Sequence, residues 1–239
     1  MQGDREKSDT REKVFGIGLP KTGLTSLLML AMALGYNAMG RKQLLSKLFY
    51  KRRFGRILAI YDQHDFLIDH PTCLMYKLAF ERYGRDAKYI LTLRRDPDTW
   101  YESLLRHQRY AHPVKNKHHK WFGRFYPHGF KEEHIDYYED HRKEVLRFFE
   151  EQGASDRLLV LCLEEPGAFK KLIDFLGVET EITEFPQENV SAEREQDFSN
   201  RLRRNYNDFI QPLYARYMPR LRPATPRQAI PPEPGVKLR

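Results

Sequence analysis

Residues Lys13–Gly35 read KVFGIGLPKTGLTSLLMLAMALG, and the order of features along this stretch decides the fold. Its apolar start (Val14, Phe15, Ile17) reads as a strand over Lys13–Gly18, buried on both faces. A turn with Gly18, Pro20, Lys21 and Gly23 follows. Thr25 and Ser26 then open a helix over Thr25–Leu34, apolar nearly all round and stopped by Gly35. A buried strand, a glycine-bearing loop and a helix N-terminus together make an anion site. Backbone N–H groups point inward, and the helix dipole favours negative charge.

The chain alternates in the same way further on. Arg41–Arg56 carries seven Lys or Arg and no acid, with Leu44, Leu45, Leu48 and Phe49 at the spacing of a basic amphipathic helix. Ile57–Tyr61 reads as a second strand, and Asp62–His70 leads into a helix over Pro71–Tyr83. Lys88–Leu93 is the third strand. Asp96-Pro97 supplies an N-cap and a first-turn proline for a helix running to about Tyr110. Arg106–Lys131, basic, rich in His and broken by Pro and Gly, reads as a surface segment or lid rather than a metal site. An amphipathic helix over Glu133–Gln152, a fourth strand over Leu158–Leu163 and a helix over Pro166–Leu176, ended by Gly177, follow. Ser191–Tyr217 reads as a long polar helix.

Apolar strands separated by helices predict an α/β three-layer sandwich with a central parallel sheet. The expected division is a flexible leader (residues 1–12), one domain (13–218) and a Pro-rich basic tail (219–239). With 239 residues the chain can bury a sizeable core, and its net charge of +8 favours an anionic partner. Cys73 and Cys162 have no metal-ligand spacing, which suits buried thiols in a reducing compartment. No apolar run reaches the roughly 18–20 residues of a spanning helix, and the first residues carry no signal core. The expectation is a cytoplasmic protein.

Three phosphate loops compete for Gly16–Ser26. The dinucleotide fingerprint G-x-G-x-x-G would need glycine at Lys21, where a lysine side chain blocks backbone approach to a pyrophosphate. Walker A fits Gly18, Gly23 and Thr25 but puts Leu24 where its lysine belongs, and no obvious strand supplies a magnesium carboxylate. In the third reading, P-K-T-G-x-T-S, Lys21 lies over a terminal anionic group. Thr25, Ser26 and the amides of Thr22–Ser26 hold its oxygens.

That loop resembles the one in the sulfotransferases that use 3′-phosphoadenosine 5′-phosphosulfate (PAPS), above all the small bacterial-type members reading G-L-P-K-T-G-T-T-S-L. The chain has Leu24 where the first of the paired threonines is usual, which removes a hydroxyl and leaves an amide. The family also pairs an arginine at a strand end with a serine eight residues later, and Arg95 and Ser103 match that spacing. Tyr138, His141 and Val145, then EFPQENV, are further family-like features, so the resemblance runs over roughly 13–190. It implies a P-loop NTPase-like fold with PAPS as donor and adenosine 3′,5′-bisphosphate as product, with no metal required. Thr22, Gly23, Leu24, Thr25 and Ser26 would cradle the phosphosulfate, Arg95 and Ser103 would bind the 3′-phosphate, and Lys21 would neutralise the leaving phosphate. For the base it implies an acid or His near the end of the second strand. Asp69 fits its D-x-P pattern, with His70 beside it and His64 a third candidate.

The acceptor would be a hydroxyl or amine on a small molecule, glycan or lipid. The basic clusters suit an anionic one, or peripheral contact with a membrane; no nucleic acid is expected. Two rivals are a P-loop metabolite kinase and a non-catalytic nucleotide-binding protein.

Overall fold

The computed structural model describes residues 11–111, 118–186 and 198–218. Five strands form one sheet in the order β2-β3-β1-β4-β5: β1 Lys13–Gly16, β2 Ala38–Met39, β3 Phe66–Ile68, β4 Ala87–Leu93 and β5 Leu158–Cys162. Every neighbouring pair is parallel. The helices are α1 Leu24–Ala33, α2 Gln43–Tyr50, α3 Phe54–Tyr61, α4 Tyr76–Tyr83, α5 Pro97–Gln108, α6 His118–Phe122, α7 Lys131–Glu151, α8 Ala168–Leu176 and α9 Phe198–Tyr217.

Strand β1 lies in the middle because neither of its faces tolerates water: Val14 and Phe15 are fully buried. Alternation sends them to opposite sides. Val14 joins Leu27, Leu30, Ile90 and Leu172 in a core beneath α1 and α8. Phe15 joins Leu45, Ile57, Tyr89 and Phe149 in a larger core beneath α2, α3, α4 and α7. These are the three layers that the alternation of strands and helices predicts.

Two expectations fail on this side of the sheet. Ile57–Tyr61 is not a strand but the second half of α3, where Ile57, Leu58 and Tyr61 are buried at helical spacing. The basic run Arg41–Arg56 is not one helix: it breaks after Tyr50, and Arg52 sits at φ 54°. The sheet strand lies instead in Phe66–Ile68, three fully enclosed residues, and the two-residue β2 caps the edge. Strands this short leave little period to read. The expected helix from Pro71 starts later, at Tyr76, after a 3₁₀ turn over Thr72–Leu74. By contrast the Asp96 cap is in place: its Oδ1 accepts from the Thr99 N–H at 2.6 Å and Pro97 opens α5. Gly177 ends α8 in the left-handed conformation at φ 69°. The leader through residue 10, the lid's residues 112–117, the start of the last expected helix (191–197) and the tail 219–239 lie outside the described residues.

Candidate active site

From β1 the chain turns toward β2 and β3; from β4 it continues to β5 on the other side. Loops leaving adjacent strands in opposite directions open a crevice at the carboxyl ends of β1 and β4, where α/β sheets bind ligands. The loop Ile17–Gly23 forms its floor.

The loop's carbonyls are held by four side chains, three of them from outside the loop. Thr22 Oγ1 donates to the Leu19 carbonyl at 2.7 Å and lies 2.6 Å from Thr92 Oγ1 on β4. Trp100 Nε1 on α5 donates to the Pro20 carbonyl at 2.9 Å. Arg94 Nε donates to the Lys21 carbonyl at 2.7 Å. His141 Nε2, on α7, meets the Ile17 carbonyl at 2.9 Å, so that nitrogen carries the proton. Burial lowers the His141 pKa to about 4, which keeps the ring neutral. A Cβ on Gly18 would come within 2.0 Å of Thr92 Oγ1 and 2.6 Å of the Thr92 carbonyl oxygen, so only glycine lets the loop lie against β4. Lys21 (φ 76°) and Gly23 (φ 92°) then turn the chain left-handedly into α1. Its N-cap is Gly23, which has no side chain to cap α1, and this leaves the first-turn amides open to an anion or water.

Thr22 is buried, and its hydroxyl serves the loop itself. Leu24 is buried with Leu27, Leu161, Ala168 and Leu172 in the core under α1 and α8. The departure at position 24 therefore supplies apolar packing, and its side chain leaves the crevice untouched. Thr25 is exposed and Ser26 half-buried at the start of the helix.

Arg95 and Ser103, eight residues apart, are not in contact. The guanidinium near Ser103 is that of Arg94, whose Nη2 lies 3.4 Å from Ser103 Oγ. Strand β4 ends at Leu93, so strict alternation no longer governs the two arginines. Arg94 turns inward to the loop and pairs with Glu164, while its backbone N–H donates to Tyr138 Oη at 3.0 Å. Arg95 is exposed, with Asp96 Oδ2 3.5 Å from its Nε.

Asp69 and His70 follow β3 directly, at the same end of the sheet. Asp69 is held at φ 71°, and its Oδ1 accepts from the His70 N–H at 2.6 Å. Burial raises the Asp69 pKa from its ordinary value; that amide and the charges of Arg41 and Lys21 offset part of the rise. The loop lysine, Arg41 and this carboxylate thus share one electrostatic site. Arg41 was not singled out in the sequence, where it is the first of seven cations; the available signal was its place just after β2. His70 is 4% exposed, its Nδ1 3.0 Å from Ser46 Oγ and its ring packed by Phe49, Tyr50 and Trp121. His64 precedes β3 at the opposite end of the strands, where its carbonyl accepts from Lys13 Nζ. That position takes it away from the crevice.

The His-rich segment is not simply a solvated face. His118 is 4% exposed, and its Nε2 lies 2.9 Å from His134 Nε2 on α7. His134 Nδ1 donates to the Phe130 carbonyl at 2.6 Å, which makes its Nε2 the acceptor. Burial lowers both pKa values, that of His134 to about 4. Among the described residues no group of three or more His, Cys, Asp or Glu side chains is placed to hold a metal ion.

Residues 13–194 match the family model of the sulfotransferase domain. This chain belongs to that family. The match spans the sheet, the loop, both arginines and the Asp69 turn, so the crevice lies wholly within the sulfotransferase domain. A comparison with curated protein sequences found no match. Among the described residues no helix is long and apolar enough to cross a membrane.

Proposed function

We propose that this sulfotransferase takes its sulfuryl group from PAPS and delivers it to a hydroxyl or amine. The observation that carries the reading is the loop Ile17–Gly23: its carbonyls are tied outward, its helix amides lack a cap, and Lys21 shares a field with Asp69. Such a cradle suits a terminal phosphosulfate, because preorganised donors need no reorganisation as charge develops. The donor supplies an activated sulfuryl group on a phosphate leaving group.

Lys21 neutralises the oxygen of the leaving phosphate as its bond to sulfur breaks and the electron pair stays on that oxygen. The amides of Thr22–Ser26 and the hydroxyls of Thr25 and Ser26 hold the remaining oxygens. Asp69 takes the acceptor's proton while the acceptor atom bonds to sulfur; its raised pKa makes it a stronger base than an ordinary carboxylate. His70, walled in by rings, sets the turn that presents Asp69. Arg95, exposed at the end of β4, and Ser103 at α5 would hold the 3′-phosphate. The exposed cations Lys42, Lys47, Lys51, Arg53 and Arg56 on and between α2 and α3 favour an anionic acceptor. The buried thiols Cys73 and Cys162 suit the cytosol.

A ligand that binds only the folded state raises its melting temperature. Adenosine 3′,5′-bisphosphate should stabilise the protein while AMP and magnesium–ATP do not, and labelled sulfate should pass from PAPS to an acceptor. Stabilisation by magnesium–ATP alone would overturn the reading in favour of a kinase. Bisphosphate binding without transfer to any acceptor would make the protein a binder.

A further inference from the structure

Helix α9 is docked with its faces reversed. Asn207 is fully buried, and its Nδ2 donates to the carbonyls of Arg109 and Ala111 at 2.9 and 2.8 Å, just beyond the end of α5. Its Oδ1 accepts from Tyr126 Oη at 3.3 Å, and Gln211, 4% exposed, reaches the Gln108 carbonyl at 3.4 Å. Asp208 takes both arms of Arg109 at 2.8 and 2.6 Å. A polar face thus fixes the helix rotation, and the opposite face is forced outward.

That outward face is apolar. Leu202, Tyr206, Phe209, Leu213 and Tyr217 are 55, 49, 71, 39 and 68% exposed. Their spacing of 4, 3, 4 and 4 residues, at about 100° per residue, draws them into one stripe along the helix. Arg203 and Arg216 are exposed on its two margins, and the Arg216 guanidinium lies 5.4 Å from the Tyr217 ring centroid. Asp208 is the one acid in the helix sequence, and Arg109 engages it.

We infer that this stripe lies on an anionic lipid surface, with its aromatic and Leu side chains at the acyl boundary and its arginines among the headgroups. An amphipathic helix with Phe, Leu and Tyr on one face and cations beside them is suited to that interface. Charge selects against the other occupants. A second copy packed stripe to stripe would bring Arg203 and Arg216 against arginines. The chain's own residues 219–239 hold five Lys or Arg and one acid, so they repel the margins and add attraction to the same lipid. Residues 187–197 are acidic but offer only Val190 and Ala192 to cover five large side chains.

The test is flotation of the full chain with vesicles of phosphatidylcholine alone and of phosphatidylcholine mixed with phosphatidylserine. The chain should float with the mixed vesicles and not with the neutral ones. Phe209→Asp with Tyr217→Asp should weaken flotation by at least about tenfold and leave the melting temperature unchanged, since both side chains are more than two-thirds exposed. Arg203→Gln should cost about fivefold. No flotation with the mixed vesicles overturns the inference. So does equal flotation of the double variant, which would make binding a matter of net charge. So does a wild-type dimer in sedimentation velocity that the double variant abolishes, which would make the stripe a contact between copies.

Discussion

On one side of the crevice the loop Ile17–Gly23 is held by Arg94, just past β4, and by side chains from α5 and α7, all of which bond its backbone carbonyls. On the other side Asp69 stands on a strained turn after a three-residue strand, supported by one amide and by the packing of His70 among three rings. In the proposed reading the loop is the donor wall, built on the backbone and needing few particular side chains in the crevice. The Asp69 turn is the acceptor wall, which depends on the side chains themselves. Change at the first should loosen everything the loop binds, and change at the second should alter turnover alone.

Asp69→Asn keeps the shape and removes the proposed base. Transfer from PAPS should fall by about 10²–10⁴-fold with affinity for the bisphosphate unchanged, read by labelled-sulfate transfer beside a binding titration. A variant with full turnover would move the base elsewhere. The wild-type rate should fall on acidification, and the half-rate pH should lie above that of an ordinary aspartate because burial raises the Asp69 pKa.

Lys21→Ala should slow transfer by about 10²–10³-fold, again in the labelled-sulfate assay. Wild-type turnover would mean that charge at the leaving phosphate is neutralised by another group.

The two arginines separate binding from support. Arg95→Ala should weaken the bisphosphate by roughly 1.5–3 kcal/mol with no change in melting temperature. Arg94→Ala should lower the melting temperature, because it strips the Lys21 carbonyl and leaves Glu164 without its partner. Reversal of these outcomes would give Arg94 the 3′-phosphate.

The folded protein should also lose stability in acid, since His141 is buried beside the Ile17 carbonyl as a neutral ring. Burial favours the uncharged form in the folded state, so the unfolded chain takes up the proton first as pH falls through about 6.5. From there down to a pH of about 4, His141 and His134 should each cost about 1.4 kcal/mol of stability per pH unit. Chemical denaturation across that range checks the slope. A flat profile would mean that the rings are already charged in the folded protein.

The smallest effect is expected at Leu24. Leu24→Thr restores the usual hydroxyl but puts it in the core, so it should destabilise by about 1–3 kcal/mol and leave donor affinity unchanged. A gain in affinity would show that position 24 does face the crevice.

What was legible follows from local physics. The strand–loop–helix of Lys13–Gly35, the Asp96-Pro97 start of α5 and the Gly177 stop are each set by residues a few positions apart. The boundaries moved by only a residue or two at β1 and α1. What was misread lies where segments are short. Ile57–Tyr61 is apolar enough for a strand, and it is a helix because Phe66–Ile68 holds the place in the sheet beside β1.

The sequence by itself determined the layered parallel fold and the strand–loop–helix of Lys13–Gly35 with its early lysine. Each depends on periodicity, glycine or a short spacing, which act within a few residues. Only the tertiary structure decided that Arg94 supports the loop while Arg95 faces water, that Leu24 belongs to the core, and that His141 and Trp100 tie the loop from distant helices. It also decided that α9 docks by its polar face. These depend on which side chain meets which carbonyl across the chain, and no local pattern encodes a partner up to 124 residues away.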